Sequence, residues 1–511
     1  MEKIIVNKKT TPSPYQQAIY DAIVNTDYNI AVEAGPGSGK TTTIIEASKL
    51  VSPGKECLFA AFNKSIVTEL SERLPKHIVC STLHSLGMSA LMSHFRTNFK
   101  LNEFKSFPFI EEVLKKKPVI AAKDELEKKA IIKQQMNYRF QMRDALDLVR
   151  MTMTELNVEA LFQMCVYYNI DLLIEEMEDV ITIMKKMEIY NRSFSKKHNY
   201  LDYTDMIFLP VTNPKIKVPQ FDFVFIDEAQ DLNKAQQLFL NRLSKPKGRT
   251  IVVYDKKQAL YSFAGADIYS ADRFESKPNT IKLPLSICYR CPVDVVKLAQ
   301  QVYPDVEVCK TNIDGEIRYG LPSEIEAGDM VLCRNNRPLV KLYFDLLADG
   351  KAPVLVGSDI QVGLEALVSK VMKKTVEEGL LIIYERLEKV KEELISKGVK
   401  NIKEHPKYEG LRDKIKTIEI ISNRFDYMKD VYKEIGELFK EKENCIKLLT
   451  IHRSKGLEAK RVFYIERFEG KTLLPSSYAV KDWEIIQENN LKFVMLTRCK
   501  ESLIFIQNIN S

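Results

Sequence analysis

The sequence predicts an α/β fold with mainly parallel sheets, arranged as two domains that each carry a helical insertion. Three observations predict it. Short apolar runs at residues 30–32, 58–61 and 78–80 alternate with helical patterns, which is βαβ texture. Strand signals return at 221–226 and 250–254, and a second α/β texture begins near residue 283. Between these stretches lie 88–198, with Lys, Met and Leu at helical spacing, and the charge-rich segment 366–444.

In chain order, 30–32 reads as a strand, 34–41 as a glycine-rich turn and 41–50 as a helix. Residues 88–198 read as an inserted helical subdomain, clearest at 124–142 and 155–174. The first domain is therefore drawn as 1–87 plus 199–282, and the second as 283–365 plus 445–511. Strand candidates in the second are 330–333, 353–356, 446–451, 461–465 and 502–506. Its insertion, 366–444, is nearly balanced in charge. Residues 371–440 hold 16 Lys/Arg against 14 Asp/Glu, which suits a solvated helical surface better than a basic nucleic-acid arm. There is no internal repeat, low-complexity tract or Gly–Ser linker.

A chain of 511 residues is long enough for roughly two to four domains with cores of their own. Its 45% hydrophobic and 28% charged residues are ordinary for a soluble globular protein. No apolar run approaches the ~20 residues of a membrane span, and the start MEKIIVNKKT has no apolar signal core, so a cytoplasmic protein is expected. Nine scattered cysteines, an odd number, fit reduced thiols. Cys288 and Cys291 form a CxxC pair, but a closed zinc site needs a second ligand pair and none is evident. They read instead as small apolar residues flanking Arg290. The net charge of +7 suits a polyanionic partner but is too mild to identify one.

The chemistry concentrates at two places. Ala34, Gly35, Pro36, Gly37, Ser38, Gly39, Lys40 and Thr41 form a phosphate-binding loop between a strand and a helix, the context that gives the motif meaning. Glycines let backbone N–H groups curl around an anion at the positive end of the helix. Lys40 would reach the β- and γ-phosphates, and Thr41 would hold Mg²⁺ through its hydroxyl. Far downstream, FDFVFIDEAQD (221–231) is an apolar strand ending in two acids. Asp227 is placed to bind Mg²⁺, directly or through water, and Glu228 to act as base or positioner for the attacking water. Such a base separates hydrolysis from mere nucleotide binding. After the strand at 250–254, Gln258 could sense the γ-phosphate. Tyr261 and Phe263, two apart, share one side of an extended segment and could stack on bases, with core packing as the alternative.

In order and spacing, these motifs resemble those of superfamily 1 helicases of the UvrD/Rep type, over nearly the whole chain. The resemblance extends the site residue by residue. Tyr15–Gln17 resembles the adenine-reading glutamine motif, with Gln16 and Gln17 both open as its carrier. AAFNKSIVTEL (60–70) resembles a single-strand-contacting motif and supplies Phe62, Asn63 and Lys64, and STLHSLG (81–87) supplies Thr82 and His84. LDYTDMI (201–207) and DEAQD (227–231) follow in the family's order. CYRCP (288–292) is similar to the motif giving an aromatic to adenine, Tyr289, and an arginine to the γ-phosphate, Arg290. LCRNN (332–336) matches a DNA-contacting segment through Arg334 and Asn336. TIHRSKGLEAKRVFYIE (450–466) brings a DNA-facing His452 and a ribose-contacting Glu458. FVMLTRCKESL (493–503) brings Arg498 as a second arginine finger.

The resemblance implies two RecA-like P-loop domains with ATP and Mg²⁺ in the cleft between them, and a motor walking 3′ to 5′ on single-stranded DNA and at single/double-strand junctions. A role in DNA repair or replication is implied, in a small member whose phage origin is left open. RNA is the weaker track but stays open, since stacking and phosphate contacts discriminate little. The sequence departs from the family at Tyr254, where glycine is common, at Ala264, where arginine is usual, and at Thr42, where arginine often follows the loop threonine. Ala264 and the short second insertion keep a second reading open: a translocase that displaces proteins or remodels recombination intermediates with little unwinding. An ATP-gated scaffold is disfavoured by the full set Lys40, Glu228, Arg290 and Arg498. No nuclease domain is expected after the last motif.

Overall fold

A computed structural model describes residues 11–61, 64–116, 125–168, 170, 172–194, 199–259, 269–396, 402, 406–440, 444–476, 479 and 482–509. The candidates Phe62, Asn63, Tyr261 and Phe263, and the substituted Ala264, lie outside the described residues. The chain divides into two compact units, the first ending at Leu285 and the second beginning at Ser286, with Gly35–Gly39 grouped with the second.

The first unit is built on a six-stranded parallel sheet of β1 (Asn29–Ala34), β2 (Cys57–Ala61), β3 (Ile78–Thr82), β4 (Phe221–Ile226), β5 (Ser244–Tyr254) and β6 (Thr280–Leu285), in the order β3-β2-β4-β5-β1-β6. Both faces are covered, so successive strand residues enter opposite cores. Ile30, Val32, Phe59, Phe225, Ile251 and Val253 pack with Ile19, Ile23, Ile44 and Leu70 on one side. Ala31, Leu58, Val224, Ile226, Val252 and Tyr254 pack with Phe239, Leu240 and Phe274 on the other. The ends of β1, β4 and β5 thereby become a rigid shelf for the motifs that follow each strand.

Helices Phe107–Leu114, Glu125–Thr152, Val158–Tyr167 and Met177–Arg192 lie between β3 and β4 and carry a core of their own, including Met142, Leu146, Leu161, Val180 and Ile183. A buried ionic cluster sits at the end of the long helix. Arg150, 1% exposed, donates to Asp202 at 2.8 and 3.0 Å and to Asp205 at 2.9 Å, and it also pairs with Asp147. Lys105 completes the cluster on Asp205 and Asn191. Asp202 and Asp205 belong to the LDYTDMI segment, which thereby anchors the long helix. Gly87 of STLHSLG permits its helix, Leu83–Phe95, to pass against helix Asp205–Thr212, because a Cβ there would collide with the Met206 carbonyl.

The second unit has its own six-stranded parallel sheet: β7 (Glu316–Tyr319), β8 (Met330–Cys333), β9 (Pro353–Leu355), β10 (Ile446–Thr450), β11 (Ala459–Ile465) and β12 (Cys499–Ile506), ordered β7-β12-β11-β8-β10-β9. Here the inserted helices Val376–Ser396, Pro406–Ser422 and Met428–Leu438 do not keep a separate core. Ile383, Leu387, Ile415, Ile418, Val431 and Ile435 share one cluster with Val331, Leu448 and Phe463 of the sheet.

Within the two six-stranded sheets, β5, β6 and β7 depart most from the sequence reading. β6 and β7 are edge strands whose mixed residues, Thr-Ile-Lys-Leu-Pro-Leu and Glu-Ile-Arg-Tyr, give no apolar run. β5 starts at Ser244 rather than 250: Ser244 pairs with Phe221 and Arg249 with Phe223, and the polar residues 245–248 form an irregularity between those two pairs. No helix among the described residues is long and apolar enough to cross a membrane.

Candidate nucleotide-binding site

In the first unit the site assembles at the C-terminal ends of β1, β4 and β5, where open parallel sheets bind ligands. Helix Lys40–Ser48 begins on Lys40 and Thr41, and the Thr41 hydroxyl donates to Asp227 Oδ2 at 2.6 Å across 186 residues of sequence. These are hard oxygen donors of the kind Mg²⁺ takes, so the pair fits the cation that the loop implies. Burial, then the adjacent Glu228, pushes the Asp227 carboxyl up to about 6.

Glu228 follows in the left-handed region, φ 54° and ψ 39°, and its N–H donates to Asp227 Oδ1 at 2.9 Å. For a residue with a Cβ this backbone costs about 1–2 kcal/mol. The conformation is held from the next strand end: Gln230 Nε2 donates to Glu228 Oε2, while Gln230 Oε1 accepts the Asp255 N–H at 3.0 Å. Asp255 is the hub of that strand end. It is 1% exposed, lies 3.7 Å from Lys40 Nζ, and accepts from Gln258 Nε2 at 2.7 Å and from the Lys257 N–H at 3.0 Å. Burial raises its carboxyl above the usual range against the pull of Lys40. Gln230 and Asp255 were not nominated from the sequence. The signal for both was position: Asp255 directly follows β5, and Gln230 lies in the turn that follows β4.

Of the two glutamines, Gln16 reaches this site. Gln16 caps its own helix with Ser13 and donates to Thr43 Oγ1 at 3.0 Å, on the helix begun by Lys40. Gln17 is exposed and turns to Asp21. Thr42 is also exposed. Tyr254, where the resemblance predicts glycine, is buried, and its hydroxyl donates to Glu275 Oε1 at 2.6 Å.

Thr82 caps helix Leu83–Phe95 through the Ser85 N–H at 3.1 Å, which gives it a structural job. Burial holds the imidazole of His84, next to it, below its ordinary range, and His84 lines a cavity of about 20 Å³ together with Asp227. That is room for about one water, and it links the STLHSLG and DEAQD segments. Lys64 is exposed at the first turn of helix Lys64–Arg73, where the helix dipole disfavours a cation.

In the second unit, Gly37 (φ +61°) and Gly39 (φ +79°) supply the left-handed turns of the loop, and a Cβ on Gly37 would collide with Arg290. The Ser38 hydroxyl closes the loop on Gly35 O at 2.8 Å, Ala34 and Pro36 are buried beside it, and Gly37 O accepts the Tyr289 N–H at 2.9 Å. The Tyr289 ring is exposed. Arg290 and Glu458, expected at the γ-phosphate and the ribose, are paired with each other at 2.6 Å, and Lys500 also holds Glu458. Arg498 is 1% exposed and donates to Val494 O at 2.9 Å, Thr497 Oγ1 at 3.1 Å and Leu457 O at 3.3 Å. Reaching a phosphate requires it to leave those acceptors.

Arg334 forks onto Glu488, with Nη2 2.8 Å and Nε 3.2 Å from Oε1, and Glu488 is itself buried. Burial, then Arg334, holds the His452 imidazole down to about 3, so it is uncharged. The Asn336 side-chain oxygen is buried with no hydrogen-bond partner.

A phosphate loop whose threonine meets a strand-end aspartate, followed by a glutamate held over the same strand ends, has the layout of a P-loop nucleotide-binding fold built on parallel sheets. The UvrD/REP helicase N-terminal domain matches residues 15–279, and the chain belongs to that family. Among curated relatives, ATP-dependent DNA helicase Rep of Buchnera aphidicola (subsp. Baizongia pistaciae) is 24% identical over 295 residues, 52% of this chain and 39% of that one. ATP-dependent DNA helicase PcrA of Bacillus subtilis is 26% identical over 322 residues, 57% of this chain and 39% of the relative. A second Buchnera aphidicola Rep, from subsp. Acyrthosiphon pisum, is 22% identical over 324 residues and is covered to 47%. The matched stretches thus span less than half of these relatives.

Proposed function

We propose that this chain is an ATP-dependent DNA helicase that hydrolyses ATP and moves 3′ to 5′ on single-stranded DNA. The observation that carries the reading is the 2.6 Å Thr41–Asp227 contact with Glu228 fixed beside it by Gln230. Lys40 binds the β- and γ-phosphates, and release from Asp255, 3.7 Å away, lets it turn to them. Thr41 and Asp227 would hold Mg²⁺, which when bound would supply charge neutralisation on the phosphate oxygens. Glu228 positions and deprotonates the attacking water, and Gln258, hydrogen-bonded to Asp255, reports the γ-phosphate to that strand end.

Arg290 exchanges Glu458 for the γ-phosphate, freeing Glu458 for the ribose and leaving Tyr289 to stack on adenine. Arginine fingers contribute ~10³–10⁵ in rate, so hydrolysis follows the arrival of Arg290 and Arg498. Cycles of ATP binding and hydrolysis advance a strand held by Lys64, His84, Arg334, Asn336 and His452, with stacking by the aromatic residues Phe62, Tyr261 and Phe263.

The test is ATP-dependent strand separation on duplexes with 3′ or 5′ single-stranded tails, beside ATPase rates on single-stranded DNA, single-stranded RNA and duplex DNA. Turnover stimulated by single-stranded DNA and lost in Lys40→Ala and Glu228→Gln supports the motor. Separation of only the 5′-tailed duplex refutes the direction. Turnover on single strands without separation of either duplex favours the protein-displacing translocase.

A further inference from the structure

The CxxC pair takes no part in this reading, yet its surroundings single it out. Cys288 and Cys291 are both at most 1% exposed, and the turn joining them is clamped from outside. Asn312 Nδ2 donates to Cys288 O at 2.7 Å and to Cys291 O at 2.8 Å. Within the clamp, the Cys291 N–H donates to Cys288 Sγ at 3.4 Å, so one sulfur already rests on the backbone of the other cysteine. The Cys291 thiol and the backbone N–H groups of Cys291 and Arg290 hold the Cys288 thiol below its ordinary range despite burial. The pair therefore has the unequal thiols of a dithiol that undergoes exchange, one a nucleophile and one a resolving group. Metal chemistry is the competing use of such a pair, and among the described residues no group of three or more His, Cys, Asp or Glu is placed to hold an ion.

What the pair touches gives oxidation a consequence. Cys291 Sγ donates to Thr497 O at 3.5 Å, and the same carbonyl accepts Arg290 Nη1 at 3.4 Å. Arg290 lies between the two cysteines in sequence, and Cys288 and Arg290 together pack on the Gly37 turn of the phosphate loop.

We propose that Cys288 and Cys291 form a redox-modification site, in which a small-molecule disulfide such as oxidised glutathione converts them to an intramolecular disulfide that displaces Arg290 and slows turnover. The Cys288 thiolate attacks one sulfur of the small disulfide and expels the first thiolate. Cys291 then gives its proton to solvent, attacks Cys288 Sγ of the mixed disulfide and expels the second. Two protein thiols are oxidised and one disulfide is reduced to two thiols. The new bond removes the Cys291 S–H donor from Thr497 O and tightens the turn that carries Arg290. Both sulfurs are buried, so exchange proceeds through local opening and is slower than at the partly exposed Cys309. The effect on turnover rests on the ATPase reading above, whereas formation of the disulfide does not.

The full chain is incubated with oxidised glutathione, alkylated and mapped by mass spectrometry, with ATPase measured in parallel. Two of the nine cysteines should disappear from the alkylated set as one bond joining the peptides on either side of Arg290. Turnover should fall on the order of tenfold or more, as expected for a displaced arginine finger, and return with dithiothreitol. Cys288→Ser and Cys291→Ser, checked for folding by thermal melting, should each keep turnover in the oxidant. A pair that stays reduced on incubation continued long after modification of Cys309 is complete overturns the proposal, as does a Cys288–Cys291 bond that leaves turnover unchanged. A reduced chain without turnover fails the ATPase reading, and the peptide map still decides the modification site.

Discussion

Replacing Arg150 with Met should loosen the long helix Glu125–Thr152 from the segment that anchors it. Arg150 and Lys105 are the two cations facing Asp147, Asp202 and Asp205, and Arg150 alone makes contacts of 2.8–3.0 Å with two of these carboxylates. Burial and the neighbouring Asp205 already raise the Asp202 carboxyl, while Lys105 and Arg150 hold Asp205 below its ordinary value against burial. Methionine matches the length of the side chain but leaves one cation for three acids. Breaking a buried ion pair from one side costs about 3–5 kcal/mol. At about 1.4 kcal/mol per decade, that is roughly a hundredfold to several-thousandfold faster opening. Native-state amide hydrogen exchange across residues 140–152, compared between wild type and variant, reads this directly. The double variant Arg150→Met/Asp202→Leu should recover part of the loss, because it removes one of the stranded charges. Protection within about threefold of wild type would show that the cluster contributes little and that the apolar core around Met142 and Leu146 alone holds the helix.

Gln230→Ala should lower kcat for ATP hydrolysis by about 10- to 100-fold, with KM for ATP little changed, because Glu228 loses its orienting partner and not its charge. A matching rise in KM would refute that division. Lys64→Ala should reduce the salt dependence of single-stranded DNA binding by about 0.7 in log–log slope, whereas His452→Ala should weaken binding with no change in slope, since His452 carries no charge. Fluorescence anisotropy across a salt series distinguishes the two. Stability should also depend on pH through Asp202, whose folded pKa lies above the unfolded value of 3.8. The native state binds the extra proton, so this contribution is present below the unfolded value and is lost as pH rises through the folded one, near 6. Urea midpoints at about pH 4.5 and about pH 6.5 should therefore differ less in Asp202→Asn than in wild type.

Much of this architecture is readable one residue at a time. The strands at Phe221–Ile226 and Met330–Cys333 are continuous apolar runs because both faces of a parallel sheet are covered, and their bounds agree with the sequence reading. The loop and the acids of DEAQD announce themselves by spacing. Partnership across the chain does not. Nothing local marks Glu488 as the residue that holds Arg334, 154 positions earlier, or Glu458 as the partner of Arg290. Arg150 looks like any arginine on an amphipathic helix until the fold closes three carboxylates around it. The choice between Gln16 and Gln17 is similar, since it turns on which face of one helix meets Thr43. Edge strands escape for the opposite reason: with one side unpaired, they tolerate lysine, arginine and proline.

The left-handed backbone at Glu228 has one further consequence. Glycine would occupy that conformation at no steric cost, and asparagine at little. Selection for a stable fold alone would therefore drift away from glutamate at this position, whereas the hydrolysis proposed above requires a carboxylate there. A stabilised variant library screened only for folding should lose Glu228 early and emerge as a sturdier protein that binds nucleotide and has forgotten how to spend it.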